Sequence, residues 1–219
     1  MNRITKVVAV VLASISLTAL THAATPGPYV GLGIGGSSLA TPNDYAFNPA
    51  VGSGGVTSRE TGGFGGRVFG GYNFNKYFGM EAGYAHYARS HYTATLISGA
   101  SSTLNYQLSS FDLVGKGYLP FGNTGLNAYV LGGAALVNST TKFNSGGIPL
   151  DNGFTLTPGS HTTNKLLPTY GLGASYDFNS RISTNIEFSR IQGSGNVKTS
   201  SSAVPSANMA TVNLSYNFS

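Results

Sequence analysis

Cysteine is missing from this chain altogether. Disulfides and thiolate metal sites are thereby excluded, and an exported form must draw its stability from the fold alone. Charge is nearly as scarce. Asp, Glu, Lys and Arg make up only 9% of the residues, against roughly 25% in soluble domains. A conventional solvated surface cannot be assembled from so few charges. Once Arg3 and Lys6 are set aside, ten basic residues face seven acidic ones, scattered along the chain. That excess is too thin to grip nucleic acid, and no nucleic-acid partner is expected. Tryptophan is absent as well. After the first 23 positions no stretch approaches the ~20 apolar residues that a membrane-crossing helix needs.

What is present is glycine, 31 residues of 219, together with 13 Tyr and 12 Phe. The length suits one domain. Residues 1–23 read as a secretory signal: Arg3 and Lys6 form the charged start, Val7 to Leu20 the apolar stretch, and Thr21-His22-Ala23 the cleavage site. The mature domain is then 24–219. If that domain enters a membrane, it must do so as a closed barrel, because only helices and barrels satisfy their own backbone in lipid.

The hairpin Gly62 to Ala88, turning near Asn75-Lys76, carries the clearest pattern. Phe64, Val68, Tyr72 and Phe74, then Phe78, Met80, Ala82, Tyr84 and His86, share one face. Arg67, Phe69 and Asn73, then Gly79, Glu81, Gly83 and Ala85, share the other. Alternation at period two marks strands. The non-aromatic face is small and sparsely charged, which suits the crowded inside of a narrow barrel, with the aromatic face toward lipid. Six further segments qualify as strands: Pro28 to Leu39, Thr103 to Phe121, Leu126 to Asn138, Lys165 to Phe178, Arg181 to Ile191 and Ala207 to Phe218. The fifth strand of the chain, Leu126 to Asn138, is apolar on both faces, and its inward side cannot be assigned.

The total is eight strands in an all-β, antiparallel, up-and-down transmembrane β-barrel. Long loops at Ser37–Thr61, Arg89–Ser102, Ser139–Asn164 and Gln192–Ser206 take strict turns with tight connections. That asymmetry is the layout of a bacterial outer-membrane barrel with its long loops outside. Tyr72, Phe74, Phe78, Tyr176, Phe178, Tyr216 and Phe218 would form the aromatic girdle at the periplasmic rim.

Several chemistries can be weighed. Gly31-x-Gly33-x-x-Gly36 matches a dinucleotide fingerprint by its letters. Loop residues follow it where a helix is required, so the glycines are expected to clear space inside the barrel and no cofactor is expected. No His, Asp and Glu cluster has metal-ligand spacing. An acyl-cutting enzyme would need a Ser oriented by a His backed by a carboxylate. His86 lies on the lipid-facing parity, and His91 and His161 fall in loops, so no enzyme is expected. A structural or surface-binding barrel, a narrow pore and a barrel that modifies lipid A remain the alternatives. Tyr45, Phe47, Tyr92 and Phe143 in the outer loops suggest adhesin-like recognition of a host surface. Outer-membrane lipid and lipopolysaccharide would surround a monomeric protein.

FGGYNFNKYFGMEAGYAHYA resembles the second hairpin of the OmpA-type eight-stranded barrels, FDLVGKGYLPF their fourth strand, and NLSYNFS their last. The resemblance implies an integral outer-membrane protein inserted by the barrel-assembly machinery with periplasmic chaperones. It also implies interior ion pairs that plug or gate a narrow water path. Glu81, Lys116 and Glu187 fall at matching inward positions. Asn185 stands where the family usually has Arg and Ser175 where it has Glu, while Arg67 is placed to supply a cation. Val212, Leu214, Tyr216 and Phe218 resemble the closing-strand signal of such barrels, with Ser219 following the final aromatic. No peptidoglycan-binding domain is expected within this chain.

Overall fold

The computed structural model describes residues 25–41, 47, 55–122, 124–151 and 153–218. The expected leader 1–23, Tyr45 and Ser219 lie outside them. Eight barrel strands follow one another: β1 Gly27–Ala40, β2 Gly55–Glu60 with Gly62–Asn73, β3 Phe78–His86 with Ser90–Leu96, β4 Ser101–Pro120, β5 Leu126–Asn144, β6 Gly159–Asp177, β7 Ile182–Ile191 and β8 Ser206–Asn217. Each pairs antiparallel with its successor. β1 pairs with both β2 and β8, the latter from Tyr29↔Asn217 to Ala40↔Ser206, so the sheet is closed.

The two faces separate as alternation demands. Leu32, Ile34, Val68, Phe111, Val130, Leu136, Leu172, Ile186 and Val212 are exposed on the outside. On β5 the outward apolar run is Leu126 to Leu136, matching the ~9–11 tilted residues that cross the hydrocarbon. Just beyond it, polar ladders begin: Asn138 Nδ2 donates to Asn164 Oδ1 at 2.8 Å, and the Thr140 and Thr162 hydroxyls meet at 3.0 Å. At the other rim, Tyr72–Phe74, Tyr176–Phe178 and Tyr216–Phe218 stack as neighbouring ring pairs, with centroids 5.5, 5.2 and 5.3 Å apart. Two tight turns there use one device. Asn75 Oδ1 accepts the N–H groups of Tyr77 and Phe78, and Asn179 Oδ1 those of Arg181 and Ile182, the local hydrogen bonding that makes Asn a turn residue.

The outer half departs from the sequence reading. Much of what reads as long loop is sheet. β5 and β6 stay paired as far as Phe143↔Gly159. The expected loop Arg89–Ser102 is mostly strand, and only residues 97–100 connect β3 to β4. The reason lies at 87–89. His86 faces Ser109 while Ser90 faces Tyr106, so β3 carries one residue more than β4 over this stretch. Such a bulge flips parity: Ala85 and Tyr87 are buried before it, Ser90, Tyr92 and Ala94 after it.

The expected recognition aromatics are also placed differently. Phe47, Tyr92 and Phe143 are buried, packed with Leu104, Tyr106, Leu108, Val137, Ile148, Phe154 and Val204 in an apolar core filling the outer half of the barrel. Tyr92, Leu104, Tyr106, Leu108, Val137 and Phe143 come from the inner faces of Ser- and Thr-rich strands, the others from the segments between strands. Returning segments lock over them: Phe47 bridges to Leu150 and Ser194 to Val204, Thr155 N–H donates to the Lys198 carbonyl at 2.9 Å, and the Tyr106 hydroxyl donates to the Val197 carbonyl at 2.9 Å. The inward face of β5 is odd-numbered, with Asn127, Tyr129, Leu131, Ala135 and Val137 buried.

Because Leu104 is fully buried there, Leu104→Ala should destabilise the refolded barrel by about 2–5 kcal/mol. Denaturant titration in lipid vesicles checks this; a change within about 0.5 kcal/mol, as expected for an exposed site, would mean this half has no packed core.

Candidate functional site

Below the apolar core the interior turns polar. Alternation sends Arg67 of β2, Glu81 of β3, Lys116 of β4 and Glu187 of β7 into the lumen, where all four are buried. They form a closed ring of alternating sign. Arg67 Nη2 lies 2.8 Å from Glu81 Oε1, Lys116 Nζ is 2.6 Å from Glu81 Oε2 and 3.3 Å from Glu187 Oε2, and Arg67 Nη1 contacts Glu187 Oε1. Glu187 reaches the ring from the far wall, since β7 and β2 are separated by β8 and β1. The pairs thus tie opposite sides of the barrel together.

A second set of groups surrounds the ring. Asp112 adds a third carboxylate, its Oδ1 3.5 Å from Arg67 Nη2. The Tyr29 hydroxyl donates to Glu81 Oε2 at 2.9 Å, and the Tyr129 hydroxyl lies 3.0 Å from both Glu187 Oε2 and Asn185 Oδ1. Asn213 Nδ2 donates to Asn185 Oδ1 at 2.6 Å. Lys116 Nζ also lies over the Tyr129 ring at 4.9 Å, and the Arg67 guanidinium over the Phe69 ring at 5.0 Å, geometry in which the ring face attracts a cation. At the position where the resembled family carries Arg, Asn185 thus takes part in a neutral hydrogen-bond chain, and Arg67 bridges the two glutamates.

Glycine makes room for these large side chains. A Cβ on Gly33 would stand 1.7 Å from Asn213 Oδ1, one on Gly173 2.4 Å from the Tyr129 ring. Gly31 and Gly33 of the fingerprint-like run do clear interior space. Gly36 does not share their face and is exposed outside.

The lumen holds little open volume around the ring. A cavity of about 30 Å³ lies on one side, lined by Tyr29, Asn73, Tyr118 and Asp177 among others, and one of about 10 Å³ on the other, lined by Tyr87, Asp112, Thr169 and Met209 among others. Volumes this small hold about one or two water molecules. Sequence reasoning missed Asp112, Tyr29 and Tyr129 as partners. Parity with Lys116 could have found Asp112; Tyr129 sits on the strand whose two faces looked alike.

At the seam, Val212, Leu214, Tyr216 and Phe218 all point outward and are exposed. The Phe218 N–H donates to the Pro28 carbonyl at 3.0 Å, one bond beyond the β1–β8 ladder.

A family model described as outer membrane protein beta-barrel domain matches residues 7–218. An uncharacterised protein of Coxiella burnetii is 28% identical over 181 residues, covering 74% of this chain and 71% of its own. Among solved structures, Neisserial surface protein A is similar at 12% identity and a TM-score of 0.51, covering 88% of this chain and 97% of that one. OprG of Pseudomonas aeruginosa is similar at 15% identity and a TM-score of 0.50, covering 88% and 97%. At these identities the two structures speak for the fold alone.

Lys116→Ala should destabilise the refolded barrel by about 3–5 kcal/mol, because it leaves the buried carboxylates of Glu81, Glu187 and Asp112 to share the single cation of Arg67. Adding Glu81→Gln should recover much of that loss. Simple additivity of the two changes in a double-mutant cycle would mean that the residues are uncoupled.

Proposed function

Because this chain belongs to the family of outer membrane protein beta-barrel domains, and so to the bacterial outer membrane, we propose that it is a closed, non-conducting barrel whose work is done at its outer end. One observation carries this reading: the lumen is filled at two levels, by the charge ring and by the apolar core above it. A narrow pore would require both to open together. The fully buried side chains of Leu104, Leu108, Tyr92 and Ile148 have no polar path to offer an ion.

The outer end supplies the adhesin-like part of the proposal. Among the described residues it carries Arg59, Arg89, Lys142, Lys165 and Lys198 against Glu60 and Asp151. A cationic surface of this kind favours polyanionic partners such as acidic polysaccharides and steers their approach. The sheet-built outer hairpins, rather than flexible loops, would present it. No catalytic role is proposed. His91 Nδ1 faces Asn105 Oδ1 and its Nε2 faces the Thr93 hydroxyl, while His86 lies outside, opposite Ser109.

The same reading includes export through the 1–23 leader with its removal, escort by periplasmic chaperones, insertion by the barrel-assembly machinery, and a monomer in the membrane.

In planar bilayers the refolded protein should produce no stepwise conductance. Beads coated with chondroitin sulfate should bind bacteria displaying it, and the double change Arg89→Glu with Lys142→Glu should weaken that binding at low salt. Regular current steps would overturn the closed-barrel reading, and unchanged bead binding the cationic-surface reading.

Phe218→Ala should sharply lower the folded fraction recovered in isolated outer membranes, whereas Asn217→Ser, whose parent side chain is buried inside, should leave it nearly unchanged. Undiminished assembly of Phe218→Ala would show this ending to be ordinary strand sequence.

A further inference from the structure

On the lipid-facing surface, two adjacent rows of side chains cross the seam where the barrel closes. One row runs Phe188, Ala210, Gly36, Phe64 over β7, β8, β1 and β2. Its ends are aromatic and its middle is almost bare. With strands ~4.8 Å apart, the two phenylalanines stand roughly 14 Å apart. Between them lies an open groove of about 620 Å³. The next row outward runs Tyr170, Arg190, Asn208, Ser38, Gly62. It is polar and carries one cation. Arg190 Nη1 donates to Asn208 Oδ1 at 3.0 Å, which uses one of the five donors of a guanidinium.

We propose that this groove, with Arg190 above it, is a binding site for one molecule of lipid A, a phosphorylated multi-acyl glycolipid. The site rests on the outer-membrane location alone and is independent of any ligand at the outer end. Its depth fits. On β7, β8 and β1 the outward side chains change here from Phe188, Ala210 and Gly36 to Arg190, Asn208 and Ser38, which puts the free donors of Arg190 at headgroup level on this side of the barrel, and the groove runs from there into the hydrocarbon of the outer leaflet. Its width fits as well. A gap of roughly 14 Å between aromatic walls takes more than one acyl chain, which a multi-acyl lipid fills better than a single chain does. The charge completes the match, since a guanidinium binds a phosphate through paired donors.

Gly36 offers a clean handle. No heavy atom lies within 4 Å of where its Cβ would stand, so Gly36→Leu fills the groove without disturbing the strand.

The test is native mass spectrometry of the refolded protein from detergent micelles, with hexa-acyl bisphosphoryl lipid A and with the same lipid after enzymatic removal of its phosphates. Wild type should retain one bisphosphoryl lipid per barrel. Arg190→Gln and Gly36→Leu should each lower the retained fraction about tenfold or more, the scale of one lost charge-assisted contact. Ala134→Leu, on the exterior of β5 across the barrel, should not. Dephosphorylation should reduce retention by wild type but not by Arg190→Gln. A gel shift between boiled and unboiled samples confirms that each variant is folded. Equal retention by all variants would reduce the lipid to unspecific annular contact and overturn the site. So would a doubled mass that Gly36→Leu abolishes, since a second copy would then cover the face.

Discussion

At membrane depth no water is available to a backbone N–H or carbonyl, and the architecture of the membrane-spanning half follows from that constraint. It forbids a free sheet edge, so β8 must return to β1, and the pairing continues one hydrogen bond past the last ladder position, to Phe218. It sends apolar side chains outward and confines the rare charges to the lumen. It also explains the glycine content. A closed sheet of eight strands leaves a narrow interior, and side chains the size of Tyr129 and Phe69 fit only where the opposite position has no Cβ.

Charges confined in that way carry a cost. Removing an ion from water is expensive, and mutual attraction offsets this only when geometry and extra hydrogen bonds are good. The ring meets that condition by alternation of sign and by recruiting the Tyr29 and Tyr129 hydroxyls. Such a network favours one arrangement of strands over neighbouring registers, because a slip of one residue in any contributing strand would turn its charge into lipid. The apolar core above achieves its hold differently, through contact area, and tolerates exchange of shape more readily.

The membrane-spanning half was legible in the sequence because lipid is a strict selector. Phe78, Met80 and Tyr84 alternate with Gly79, Glu81 and Gly83 without a break, and inward parity together with the family resemblance marked Arg67, Glu81, Lys116 and Glu187. Above the membrane that selection relaxes. Outside, Ser, Thr and Asn replace aromatics, so Ser139-Thr140-Thr141 and Thr162-Thr163-Asn164 look like loop although they form a continuous ladder. The bulge at 87–89 hid Tyr92 and Ala94 from any single alternation. The position of Phe47 depends on a contact with Leu150, about a hundred positions away, which local pattern cannot reveal.

The ring also joins distant parts of the chain. Arg67, Glu81, Asp112 and Lys116 all lie in the first half of the barrel, on β2, β3 and β4. Glu187 arrives only with β7, 120 positions after Arg67. Without that strand, β2 to β4 hold two cations and two carboxylates, a balanced set. The late hairpin must then carry a bare carboxylate across the lumen, since Arg190, close by on the same strand, sits on the lipid side. Its entry is favourable only into a barrel where Arg67 and Lys116 stand ready. Long-range pairing is slow in sheet proteins, and here it is conditional: the carboxylate of Glu187 is matched only where Arg67 and Lys116 face the lumen in register.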